Sequence, residues 1–141
     1  MQRIFITGTA GFIGFHSARQ LLDAGHEVIG LDNVNDYYDP QIKYDRLALL
    51  ESSDNFSFHK RDLVEGDFIT DLVTGEQPDR VIHLAAQAGV RYSIDNPESY
   101  VDANLVGFAN VLEGCRQTEV KHLVFAYSSS VYGMNVKQPF S

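Results

Sequence analysis

Thr7-Gly8-Thr9-Ala10-Gly11-Phe12-Ile13-Gly14 follows a short apolar run at 3–6 and precedes an apolar-periodic segment at 15–24. The pattern predicts a buried strand, a turn built on glycines, and a helix. Gly8 takes the tight turn without a Cβ clash. Gly11 lets the main chain approach a bound pyrophosphate, and Gly14 lets the new helix lie flat against the sheet. Phe12, Ile13 and Gly14, first in the helix, offer unpaired N–H groups and the positive end of the helix dipole to phosphates. The spacing is G-x-x-G-x-x-G, not G-x-G-x-x-G. Glycines alone are weak evidence, so the rest of the chain must supply the context.

Working outward, Gly25 marks the helix stop, and 27–31 reads as a second strand ending at Asp32. Asp32 lies 18 residues beyond Gly14, near the ~20 expected of an acid that binds an adenosine ribose. Asn33 follows, with no arginine to receive a 2′-phosphate, so NAD is expected over NADP. A polar, tyrosine-bearing loop at 33–40 leads to a helix at 42–50 and a third strand at 55–60. Asp62 and Leu63 sit just past that strand. Asp62 either reaches the adenine amino group or caps a helix at 64–74.

A fourth strand at 80–84 runs into small residues, so Leu84, Ala85 and Ala86 are expected where a backbone passes close to a cofactor. His83 reads as a packed strand histidine. The loop 87–97 holds Gln87, Arg91, Tyr92 and Ser93, and a long helix is expected at about 98–118. Cys115 lies on its apolar stripe as a packing residue. Asn104 shares part of that stripe and needs a partner, either nearby main chain or a cofactor. A fifth strand at 122–127 ends in Ser128, Ser129 and Ser130. The alternation predicts an α/β fold: a Rossmann-like, doubly wound parallel sheet of five strands in order 3-2-1-4-5. Gly11, Asp32, Asp62, Ala85 and Ser128 then all fall at carboxyl ends of strands, where such sheets bind ligands.

The chain has 141 residues, enough for one domain with its own core. Its formal net charge of -8 argues against non-specific nucleic-acid binding, yet leaves room for an anion at a helix terminus. Cys115 is the single cysteine, so no intramolecular disulfide and no zinc cluster is expected, and a reducing compartment fits; no metal-binding residues are expected. No apolar stretch nears the ~20 residues of a membrane helix, and no leader opens the chain. The expected location is cytoplasmic.

Five stretches carry a family resemblance: TGTAGFIGFH (7–16), LDNVNDYYD (31–39), HLAAQAGVRYS (83–93), YVDANLVGFANVLEGCR (100–116) and SSSVYG (128–133). The chain resembles the extended short-chain dehydrogenase/reductases of the NAD-dependent epimerase/dehydratase type. Within them it is most similar to bacterial and plant UDP-glucuronate 4-epimerases. NDYYD and AQAGVRYS are the specific segments; the glycine loop says only "dinucleotide".

The resemblance implies NAD as cofactor and a UDP-sugar as substrate. Hydride leaves C4 of the sugar while a tyrosine takes the O4 proton, and hydride returns to the other face of the keto sugar. It implies that Ser128 is catalytic, hydrogen-bonding O4. Gln87, Arg91, Ser93, Ser129 and Ser130 would line the substrate side, Arg91 either pairing with an anionic group or standing on the surface. Dehydratase relatives carry an acid and a base where Ser129 and Ser130 stand, which counts against dehydration; decarboxylation stays open. The family's Tyr-x-x-x-Lys pair has no match here. The expectation is therefore an NAD-binding domain over 1–141 whose substrate domain and later strands are lacking. It would be inactive alone and prone to homodimerise or otherwise self-associate. The alternatives are a stand-alone NAD-binding regulatory module and half of a UDP-sugar decarboxylase or reductase.

Overall fold

The computed structural model describes residues 1–139. Five strands, β1 (Arg3–Thr7), β2 (Glu27–Asp32), β3 (Phe56–Lys60), β4 (Arg80–His83) and β5 (His122–Phe125), form one parallel sheet in the order β3-β2-β1-β4-β5. This is the topology expected of the alternating pattern. β1 is central, pairing Thr7 with Leu31 of β2 and with His83 of β4.

Side chains alternate across the strands, so each strand feeds two cores. Ile4 and Ile6 of β1 and Val28 of β2 pack against Phe15 and Ala18 of α1 (Phe12–Asp23) and Leu50 of α2 (Pro40–Leu50). Phe5 and Ile29, one residue on, face the other way. They pack with Ile69 and Val73 of α3 (Gly66–Glu76) and with Val111 of the last long helix. The β1 and β2 residues of both sets are essentially inaccessible, which is why these strands read as continuous apolar runs rather than alternating ones.

Element ends differ from expectation where main chain rather than side chain decides them. α1 begins at Phe12, three residues before the apolar period, because Gly11 opens it without a side-chain cap. It closes in a Schellman motif: Gly25, at φ +79°, donates to Leu22 O and His26 N to Leu21 O. α2 begins at Pro40, capped by the Asp39 carboxylate on Gln41 N. β4 stops at His83 and β5 at Phe125, although Leu84 N still donates to Thr7 O and Ala126 N to His83 O.

The long helix of 98–118 is interrupted. α4 (Tyr92–Asp95) is a single turn within the preceding polar loop, and α5 (Glu98–Val101) follows. A π-helical stretch over Asp102–Val106 then joins α5 to α6 (Gly107–Gln117). α6 lies so close to the loop after β3 that a Cβ on Gly107 would stand 2.7 Å from Leu63 Cβ. No helix among the described residues is long and apolar enough to cross a membrane.

Candidate functional site

The glycine turn is held by its neighbours before any ligand is considered. Gly8 N and Thr9 N both donate to Leu31 O, and the buried Thr9 hydroxyl donates to Ile6 O while accepting from Leu31 N. Gly8 has φ +75°, and a Cβ there would meet Ala85 N at 2.7 Å. The end of β1 thus touches the end of β4 main chain to main chain. At Gly14 a Cβ would overlap the Gly8 carbonyl and Thr9 Cα. Its absence lets the first turn of α1 close onto the glycine turn, while Phe15 and Ala18 pack the helix on the sheet. The first turn of α1 carries no capping side chain and no acidic residue. Its N–H groups at Phe12, Ile13 and Gly14 keep their donor capacity, and no carboxylate competes with an incoming anion. The Phe12 and Ile13 side chains stand exposed.

Asp32, at the tip of β2, is buried. Its Oδ2 accepts from Ala10 N at 3.1 Å and its Oδ1 from Val34 N at 2.8 Å. The second bond holds Val34 at φ +51°, a strained conformation for a β-branched residue. Val34 tolerates it while buried against Ala10 and Leu47. Each Asp32 oxygen retains acceptor capacity beyond these bonds. Asn33 Nδ2 donates to Asp62 Oδ2 at 2.8 Å, so these two predicted site residues meet each other. Asp62 does not cap α3, whose N-cap is Glu65; its Oδ1 accepts from Val64 N in a turn ahead of the helix.

Lys43 lies beside them, a residue the sequence reading passed over. It is 5 % exposed, and its Nζ donates to Asn35 Oδ1 at 2.8 Å and Asn35 O at 3.2 Å. Asp32 Oδ1 stands 3.9 Å away and the Tyr38 ring 4.8 Å. Burial pushes the Lys43 ammonium below its ordinary pKa, against the pull of Asp32. A lysine in the first turn of a weakly amphipathic helix reads as solvated. Only the fold shows that it turns inward.

Asp32, Lys43, Asp62 and Gly8 line a cleft of about 230 Å³ over the tips of β1, β2 and β3. A second, of about 670 Å³, lies between the tips of β4 and β5 and holds Ser128, Ser130, Ser93 and Asn104. Residues 84–88 line both, so one crevice runs across the carboxyl edge of the sheet. Leu84, Ala85, Ala86 and Gln87 form its waist, and Gly11 and Leu63 lie in the first lobe. Phe12, Ile13, Gly14, Arg91 and Ser129 are outside both linings. Arg91 stands exposed at the head of α4.

The waist is braced from the π-helical stretch. Asn104 Oδ1 accepts from Gln87 N at 2.9 Å, and its Nδ2 donates to Gln87 O at 3.0 Å. The π insertion is what turns this asparagine toward the loop; insertions of this kind frequently mark functional sites. His83 lines the second lobe, buried and stacked on Phe108 at 5.1 Å. Its Nδ1 is 2.7 Å from Thr7 Oγ1. That hydroxyl already accepts from Leu84 N and Ala85 N, so its own proton goes to Nδ1, which fixes a neutral ring protonated on Nε2. Burial lowers the His83 pKa to about 4. Cys115 packs at the edge of the core, and burial raises its thiol pKa.

At the far tip, Ser128 opens a short 3-10 turn, Ser129–Tyr132. Its Oγ accepts from Ser130 N at 3.2 Å and from Ser130 Oγ at 2.9 Å. With both lone pairs used, the Ser128 proton is left to donate outward.

Comparison with known proteins follows the same lines. The family model described as GDP-mannose 4,6 dehydratase matches residues 5–141. A probable UDP-glucuronate 4-epimerase of Rhizobium meliloti is 49% identical over 139 residues, which are 99% of this chain and 41% of that protein. UDP-glucuronate 4-epimerase 4 of Arabidopsis thaliana is 49% identical over 144 residues, covering 98% and 32%. The crystal structure of UDP-glucuronic acid 4-epimerase from Bacillus cereus, in complex with UDP-glucuronic acid and NAD, superposes with a TM-score of 0.85. It is 31% identical and covers 96% of this chain and 43% of that one. The chain thus spans less than half of the length of these relatives.

Proposed function

The chain belongs to the family of the GDP-mannose 4,6 dehydratase model, and on that footing we propose that it is the NAD-binding portion of a UDP-glucuronate 4-epimerase. The observation that carries the reading is the single crevice with Asp32 at one end and Ser128 at the other. Its residues fit the cofactor. The uncapped, acid-free start of α1 and the bare Gly8 turn suit a pyrophosphate. Asp32 suits the two hydroxyls of an adenosine ribose.

When bound, NAD supplies a reversible hydride acceptor. The chain's own residues bind, orient and donate. Gln87, fixed by Asn104, sets the floor between the two lobes. Ser128 would donate a hydrogen bond to the sugar oxygen at C4, stabilising the negative charge that grows there as that oxygen loses its proton. Ser130 holds the Ser128 oxygen in place.

Dehydration needs an acid and a base of matched pKa beside the reacting carbons. The tip after β5 presents hydroxyls at Ser128, Ser129 and Ser130 instead, which supports epimerisation despite the dehydratase description of the family model. The edge strand β5, with Val124 and Phe125 half-exposed, supports either continuation into further strands or self-association. Isothermal titration of this chain with NAD⁺ tests the cofactor assignment. Product analysis on a full-length form given UDP-glucuronate tests the reaction. A C4 epimer that keeps its carboxylate supports it, and a pentose with CO₂ replaces it by decarboxylation. By the same reading the 141-residue chain alone does not turn over UDP-glucuronate, and turnover by it would refute that.

A further inference from the structure

Among the described residues Lys43 is the one buried cation lining the crevice, and its placement exceeds what loop anchoring requires. An ammonium carries three protons. Two go to Asn35, and at 3.9 Å the Asp32 carboxylate is a charge neighbour rather than a hydrogen-bond acceptor. The third proton has no acceptor at hydrogen-bond distance among the described residues, and Lys43 lines the cleft that holds Asp32. Arg46, one turn further along α2, donates to Ala10 O at 3.1 Å, next to the amide that bonds Asp32. Lys43 therefore stands beside the carboxylate that would meet an adenosine ribose. Local sequence around Asp32 and Asn33 does not show it.

We infer that Lys43 is a specificity-determining residue whose ammonium forms a ready-made phosphate site, kept closed to NADP by the single charge of Asp32. The inference rests on the dinucleotide reading above and deepens it. A 2′-phosphate brings close to two negative charges. Against Asp32 it is repelled; with that carboxylate neutralised, Lys43 is left to pair with it. Discrimination is thus a balance between two buried charges, not the absence of a cation.

The test compares NAD⁺ and NADP⁺ titrations of the parent chain, Asp32→Asn, Asp32→Asn/Lys43→Met and Asp32→Asn/Lys43→Arg, each checked for folding by circular dichroism. Asp32→Ser replaces Asp32→Asn throughout if the latter misfolds. The parent binds NAD⁺ in preference. The Asp32 variant gains NADP⁺ affinity relative to NAD⁺ by roughly tenfold or more, about one charge-assisted hydrogen bond. Lys43→Met abolishes the gain and Lys43→Arg keeps it. A gain that survives Lys43→Met, or no gain at all, overturns the inference while leaving NAD binding intact. A parent chain that binds neither dinucleotide overturns the cofactor reading itself.

Discussion

The rings of Tyr37 and Tyr92 lie 5.1 Å apart, centroid to centroid, and join loops that leave the sheet on opposite sides of β1. Tyr37 belongs to the segment after β2 and lines the first lobe of the crevice. Tyr92 opens α4 and touches the ring of Tyr100, whose hydroxyl donates to Ala88 O and Gly89 O. The two most distinctive stretches of the sequence, NDYYD and AQAGVRYS, are thus in contact. They form a bridge at the junction of the two lobes.

A ligand that fills both lobes must pass that bridge, so Tyr37→Ala should speed its release. An aromatic contact of this kind contributes roughly 0.5–1.5 kcal/mol, which corresponds to an off-rate up to about tenfold higher. Stopped-flow displacement of NAD from the parent and variant measures it. Equal rates would show that the tyrosines only tie the loops together.

His83 makes stability depend on pH. Its folded pKa is about 4 against an ordinary 6.5, because burial disfavours the charged ring. Above pH 6.5 the ring is neutral in both states and contributes no dependence. Between 6.5 and 4 the unfolded chain binds the proton and the folded chain does not, so stability falls as the pH falls. The full loss, reached below about 4, is of the order of 3 kcal/mol. The melting midpoint should drop across that window, and His83→Asn, which keeps an acceptor for Thr7, should flatten the drop. An unchanged slope in the variant would assign the dependence to the carboxylates.

The sheet was readable because its two central strands are buried on both faces and the glycine turn has few structural solutions. The positions of Gly11, Asp32, Asp62, Ala85 and Ser128 at strand tips followed from the same alternation. What escaped was set by tertiary contact. Lys43 looks solvated until α2 packs against the glycine turn. Asn104 had two open partners until the π-helical stretch turned it onto Gln87. Thr7 and Thr9 drew no reading beside the glycines, yet both are fully buried and organise the turn. Short hydroxyls flanking a glycine turn were the available signal, since such side chains bond local main chain.

Two glycines with opposite surroundings test the account of the turn. A Cβ at Gly14 overlaps the Gly8 carbonyl, whereas one at Gly75, inside α3, meets nothing within 4 Å. Gly14→Ala should cost about 3 kcal/mol through overpacking and lower the melting point by roughly 10 °C. Gly75→Ala should add about 0.5–1 kcal/mol through helix propensity. Differential scanning calorimetry of both separates steric from entropic glycine effects. A harmless Gly14→Ala would mean that α1 can lift off the turn.

The serines after β5 differ in whether they line the second lobe, and that makes their roles separable. Ser128 and Ser130 line the second lobe, and Ser129 does not. Ser128 accepts both bonds from Ser130 and has its proton to give. In a full-length form of the protein, Ser128→Ala should lower kcat about 100-fold, the size of one lost donor to a developing oxyanion, with NAD affinity unchanged. Ser130→Ala should have a smaller effect, since it only loosens the Ser128 oxygen. Ser129→Ala should be near neutral. Steady-state kinetics with UDP-glucuronate, beside NAD titrations of each variant, reads all three. A Ser129→Ala loss equal to that of Ser128→Ala would mean that the strand tip rearranges when substrate binds, and Ser128 would lose its assignment as the donor.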